Sequence, residues 1–107
     1  MVRMMKNFDW FKNAKYGLFI HFGLYSLLGG EYKGKKSGNY AEWIQSYLRI
    51  SNEEMCEIAK SFNPKKFNAE EWVSFAKDCG FKYIILTTKH HEGFALFNSK
   101  VSDYNIM

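Results

Sequence analysis

The stretch "YIILTTKHHEGF", residues 83–94, decides the fold. A β-branched apolar run stops, and two adjacent histidines, a carboxylate and a glycine follow at once. Short continuous apolar runs suit a strand buried on both faces. Just upstream, "NAEEWVSFAKDCG" (68–80) reads as a helix. Asn68 is a good N-cap, Glu71 stands three residues on, Trp72, Phe75, Ala76 and Cys79 form one stripe, and Gly80 supplies the stop.

A second apolar run lies near the start. In "KYGLFIHFGLYS" (15–26), Leu18, Phe19, Ile20 and Phe22 stand between Gly17 and Gly23, with His21 interrupting near the end. This too reads as a buried strand. Between the runs, "LLGGEYKGKKSG" (27–38) has the glycine and lysine content of a loop. "NYAEWIQSYLRI" (39–50) spaces Tyr40, Trp43, Ile44 and Tyr47 as a helix would, and "SNEEMCEIAKSF" (51–62) opens with a Ser51/Glu54 capping box. Met55, Ile58, Ala59 and Phe62 make the apolar face of that helix, and Pro64 closes it. "NFDWFKNA" (7–14) predicts a short helix capped by Asn7 or Asp9.

The order is strand, loop and helices, strand. So long a link predicts a parallel crossover, since antiparallel neighbours need only a short turn. In parallel α/β folds, chemistry gathers at the carboxyl ends of the strands. The chain has 3 histidines, His21, His90 and His91, and all fall at such ends.

The 107 residues are enough for one domain with a core. Apolar residues make up 47% and aromatics 19%, a composition that excludes intrinsic disorder and suits a large core or a carbohydrate-facing cleft. The net charge of +4 is dispersed over short loop clusters such as "KGKK" (33–36), which argues against a nucleic-acid partner. Cys56 and Cys79 lack metal-type spacing and read as buried free thiols. No apolar run approaches the roughly 18 residues of a membrane span. The start shows no signal-peptide core, so the chain as written reads as cytoplasmic.

A single histidine at a strand end is most often structural, but three at two ends ask for more. A metal site would need three or four converging ligands. Adjacent His90 and His91 would point to opposite faces if strand-like, leaving one to join His21, and no carboxylate has ligand spacing. Neither a metal nor a cofactor is expected. Polar recognition is the other reading. Each imidazole offers a donor and an acceptor, which suits sugar hydroxyls. Glu42 and Trp43 add an acceptor and an apolar platform, although a lone Trp43 reads first as core packing. Lys89 and Glu92 read as solvent-exposed loop charges, and Gly93 allows a sharp turn.

Together, "WFKNAKYGLFIHFGLYS", "NYAEWIQ" and "FNPKKFNAEEWVSFAKDCGFKYIILTTKHHEGFALFNSKVSDYNI" resemble the amino-terminal part of the α-L-fucosidases, family 29 of the glycoside hydrolases. The resemblance covers nearly the whole chain from about Trp10. It implies an α/β fold, the amino-terminal portion of a (β/α)8 TIM-like barrel, incomplete in this chain. It also implies hydrolysis of terminal α-L-fucose from glycoconjugates with retention of configuration. Residues 1–107 would then be a partial catalytic domain.

On the matching positions, His21, Glu42, Trp43, His90 and His91 would bind the sugar. No catalytic residue is expected, because the family's nucleophilic aspartate lies downstream of the histidine pair, and Asp103 matches a position outside catalysis. A barrel of this kind needs about 200–250 residues. Two strands cannot close one, so sheet edges and apolar faces should lie bare. The expected partners are a fucosylated glycan or aryl fucoside and a missing downstream segment or a second copy of the chain. The alternative is a non-catalytic fragment that binds fucose weakly.

Overall fold

The computed structural model describes residues 8–107; the Asn7 cap lies outside them. The chain divides into two units, one of residues through Ile20 with Lys66–Ile85, the other of His21–Lys65 with Leu86–Met107.

The first unit holds α1 (Asp9–Ala14), the start of β1 (Gly17–His21), α5 (Ala69–Asp78) and the start of β4 (Tyr83–Thr87). Between them in sequence run α2 (Leu24–Leu28), β2 (Glu31–Tyr32), β3 (Lys35–Lys36), a 3-10 turn at Ala41–Trp43, α3 (Ile44–Leu48) and α4 (Asn52–Lys60). β1 and β4 are neighbours in one two-stranded sheet, as the two apolar runs predict. The residues that precede them meet: the Lys82 N–H donates to the Tyr16 carbonyl at 2.8 Å, and the Tyr16 and Phe81 rings stack at 4.5 Å. Both strands therefore leave the same end and run in the same direction.

α5 is capped as its residues require. The Asn68 side chain accepts the Glu71 N–H at 3.1 Å. At the other end Gly80 adopts φ +86°, and Phe81 and Gly80 donate back to Ala76 and Lys77, closing a Schellman motif. α1 differs from expectation: its N-cap is Phe8, with no side-chain cap, and Asp9 is the first helical residue. Trp10 and Phe11 of α1 surround the Tyr83 ring, and that ring lies over Gly17.

The strands form where predicted, but they are not buried on both faces. Phe19 is 60% exposed and Ile85 44%; on α5, Phe75 is 68% exposed, and Ala76 alone is buried. An apolar run specifies a strand that would gain by being covered; a single sheet pair and its helices leave it uncovered.

The second unit has the core: Leu24, Tyr25, Ile44, Ile50, Met55 and Phe94, with Ile58 and Ala59 of α4 and Phe62 just beyond it packed against it. The predicted capping box of α4 is present. The Ser51 hydroxyl accepts the Glu54 N–H at 3.2 Å, and the Glu54 carboxylate accepts the Ser51 N–H at 3.1 Å. The other Glu54 oxygen takes Lys33 and the Tyr32 hydroxyl, so one carboxylate joins the helix cap to a hairpin.

That hairpin is a correction to the loop reading of 27–38. β2 and β3 pair antiparallel, Glu31 with Lys36 and Tyr32 with Lys35. Lys33 (φ +48°) and Gly34 (φ +75°) form the two-residue turn with both φ positive that such hairpins prefer. The short helix α2 likewise replaces part of that loop. Cys56 and Cys79 are free but exposed, not buried. Met55 takes the inward position beside Cys56, and Cys79 stands at the C-cap of α5, past its last helical residue.

Two consequences can be measured. A Cβ on Gly17 would stand 2.1 Å from the Tyr83 ring. Gly17→Ala should therefore cost about 1–3 kcal/mol in urea unfolding, the usual effect of overpacking. The hydrogen bond from Lys33, aided by the Ser51 N–H, lowers the Glu54 carboxyl from 4.5 to about 2. A depressed carboxyl stabilises the fold above its unfolded value and loses that contribution as pH falls through the folded one. Stability should thus decline from about pH 4.5 toward pH 2, more steeply in the native chain than in Glu54→Gln. Parallel pH profiles of the two proteins would refute this.

Candidate functional site

The site is built in the second unit from three pieces of chain. His21 ends β1; Glu42 and Trp43 lie in the 3-10 turn; His90 and His91 follow β4. A sharp turn carries the pair: Gly93 has φ +77° and donates its N–H to the His90 carbonyl at 3.0 Å.

The three histidines converge. The ring centroids of His21 and His90 are 5.2 Å apart, and those of His90 and His91 4.5 Å apart, at 87°. The pair is not strand-like, and its two rings lie together instead of on opposite faces. His90 faces His21 and Tyr25, the latter at 5.5 Å, while His91 lies against Trp43 at 3.5 Å. Trp43 is 38% exposed, so it lines a surface rather than the core. A cleft of about 460 Å³ takes in Glu42, Trp43, Gln45, Asn52, His91 and Glu92. His21 and His90 are not among the residues lining it. Among the described residues no cluster of His, Cys, Asp and Glu is arranged to hold a metal ion.

Electrostatics separate the polar groups. Burial, then His91 and His21, push His90 below the ordinary histidine range, with Glu42 pulling the other way. His90 is therefore neutral near pH 7, with one ring nitrogen donating and the other accepting. Its Nδ1 is buried without a partner among the described residues. Burial first, then Glu92 and Glu42, push the Tyr25 hydroxyl up to about 12, so it stays protonated.

Two residues of this neighbourhood escape sequence reasoning. Tyr25 is 5% exposed beside His90. Glu92 is half-buried and not the solvent-exposed charge its loop position suggests, and its Oε2 is buried without a partner among the described residues. Burial raises its carboxyl, opposed by its own N–H and that of Leu24. The available signal is spacing: Gly23 stands two residues after His21, as Glu92 does after His90. Lys89 is exposed, in an isolated bridge to Ala95.

This arrangement can bind polyhydroxylated ligands. Neutral and exposed imidazoles present donors and acceptors, Glu42 accepts, and an indole offers an apolar surface.

Known proteins match the chain. The alpha-L-fucosidase family matches over residues 2–107. An alpha-L-fucosidase of Dictyostelium discoideum is 34% identical over 110 residues, 87% of this chain and 23% of its own. The human plasma alpha-L-fucosidase is 37% identical over 100 residues, 87% of this chain and 21% of its own. An unliganded alpha-L-fucosidase from Lactobacillus casei is 57% identical with a TM-score of 0.87, covering 91% of this chain and 30% of that one. A trapped covalent intermediate of a family 29 enzyme from Bacteroides thetaiotaomicron is 43% identical with a TM-score of 0.88, over 91% and 22%. The chain thus spans between a fifth and a third of the length of these relatives. With a family match along nearly its whole length, the chain belongs to the α-L-fucosidases of glycoside hydrolase family 29.

Proposed function

We propose that this chain supplies part of the fucose-binding pocket of an α-L-fucosidase, an enzyme that releases terminal α-L-fucose from glycoconjugates with retention of configuration. The observation that carries this reading is the convergence of three histidines from two strand ends, with ring centroids 5.2 and 4.5 Å apart. Two structures of one relative support it: the Lactobacillus casei enzyme has been solved with α-L-fucose product, and a variant of it with Fucα(1,6)GlcNAc. In the pocket, His21, His90 and His91 hold hydroxyls, Glu42 accepts from another, and Trp43 covers the apolar face of the ring. Neutral His90 serves as both donor and acceptor without the desolvation cost of a cation.

Retention requires two carboxyl groups about 5–5.5 Å apart, one of them the nucleophile. We place the nucleophile outside these 107 residues. Glu42 is a sugar ligand, and Glu92 is turned toward backbone amides. The chain is then the amino-terminal portion of a (β/α)8-like barrel, a reading supported by its 21–30% coverage of relatives and by the bare apolar faces of β1, β4 and α5. Those faces favour one further reading, in which a second copy of the chain covers them instead of a downstream segment. Light scattering that finds only monomer would dispose of the second copy.

The pocket reading is tested by titrating fucose into the chain and its variants. His90→Ala and His91→Ala should each weaken binding by about 0.5–1.5 kcal/mol, roughly 2- to 13-fold, the worth of one hydrogen bond. Equal affinity in the native chain and both variants would refute the sugar role. The chain alone should not turn over an aryl α-L-fucoside; turnover would mean that the nucleophile lies within it.

A further inference from the structure

We infer that Glu92 is the cap of helix α2, supplied from the histidine loop, and that this tie positions His90 beside His21. The helix begins at Leu24, and its N-cap is Gly23, which has no side chain to accept the free amides of the first turn. Ser26 supplies only the reciprocal bond, its hydroxyl accepting the Gly23 N–H at 3.2 Å. The remaining acceptor comes from far along the chain. The Glu92 Oε1 lies 2.8 Å from the point where a Cβ of Gly23 would be. It occupies the space an N-cap side chain would fill, within reach of the Leu24 N–H that favours its charged form.

Glycine at 23 is thus required by occupancy and not by backbone conformation. Its φ of 176° is extended and open to any residue. Gly23 is buried, and the ring of Tyr25 also stands 2.8 Å from the same point, so an added methyl has nowhere to go without moving one of them.

The anchor sits two residues beyond His21 on one strand exit and two beyond His90 on the other. Fixing Gly23–Leu24 against Glu92 leaves little slack in either short connection. The His90–Gly93 turn, closed by its own 3.0 Å hydrogen bond, passes the constraint to the His90 ring. Glu92 touches no reacting atom. It is a positioning residue, and its value to the enzyme rests on the sugar-pocket reading.

The experiment reads the tie without ligand. In the native chain, nuclear Overhauser contacts should link the His21 and His90 ring protons. Glu92→Ala should abolish them and shift the His90 ring signals, leaving the amide signals of α5 in place as the control for folding. Glu92→Gln, whose amide oxygen can still accept from Leu24, should keep them. Gly23→Ala should abolish them by collision, and adding Glu92→Ala should bring no further loss of stability, because both changes break one contact. Persistence of the contacts in Glu92→Ala, or strictly additive destabilisation in the double variant, would overturn the inference. Failure of fucose to perturb any histidine in the native chain would instead refute the sugar pocket and leave the tie standing.

Discussion

The structure depends on the pairing of β1 with β4. Bringing together segments so far apart in sequence has an entropic cost that rises slowly with loop length, so the pairing needs a secure start. It has one at the aromatic corner of Tyr16, Phe81 and Tyr83. There Gly17 leaves room for the Tyr83 ring, and the Lys82 N–H reaches the Tyr16 carbonyl. From that start the strands run in one direction, and the segments beyond each strand leave from the same end. Histidines at residues 21, 90 and 91 become neighbours because of where the strands begin, before any histidine interacts with another.

Beyond the strand ends, different forces hold the chain. The second unit has a compact apolar core in which Leu24, Ile44 and Met55 are almost wholly inaccessible. Each belongs to a short helix that would be unstable alone. The five-residue α2 and α3 persist because their apolar residues are shared with α4 and with Phe94, immediately beyond the histidine turn. Polar groups at the margin of that core carry the penalty. Burial makes His90 a poorer base, Glu92 a weaker acid and Tyr25 a reluctant one. All three therefore tend toward neutrality where a ligand with hydroxyls would meet them.

Much of this is legible in the residues. Ser51 with Glu54, Asn68 with Glu71, and Gly80 mark helix ends by local chemistry, and each lies where that chemistry places it. The β-branched run of residues 83–87 declares a strand, and its histidines obey the logic of parallel folds. The hairpin at residues 31–36 leaves no hydrophobic alternation, since each strand is two polar or amphipathic residues long; its one signal is the Lys-Gly turn. Burial is the least legible property. Phe19 and Phe75 look like core from sequence alone, but burial is a property of neighbours, and the described chain does not cover them. Glu92 misleads for the converse reason: a charge next to a glycine turn looks solvated until a distant backbone is seen against it.

Binding and bond cleavage make different demands on such a chain. Binding needs several modest contacts, each tolerant of small displacement, and residues near two strand ends can provide them. Cleavage with retention needs two carboxyl groups fixed to within a fraction of an ångström about a single bond. The Glu92 Oε1 lies against the Gly23–Leu24 backbone, and Glu42 shares the 3-10 turn with Trp43, whose ring lies against His91. Burial outweighs the amides and raises the Glu92 carboxyl, so a group seated against backbone is here a weaker acid, a better strut than nucleophile. The division of labour proposed for this site, recognition from the first strand ends and chemistry from elsewhere, rests on that difference in tolerance.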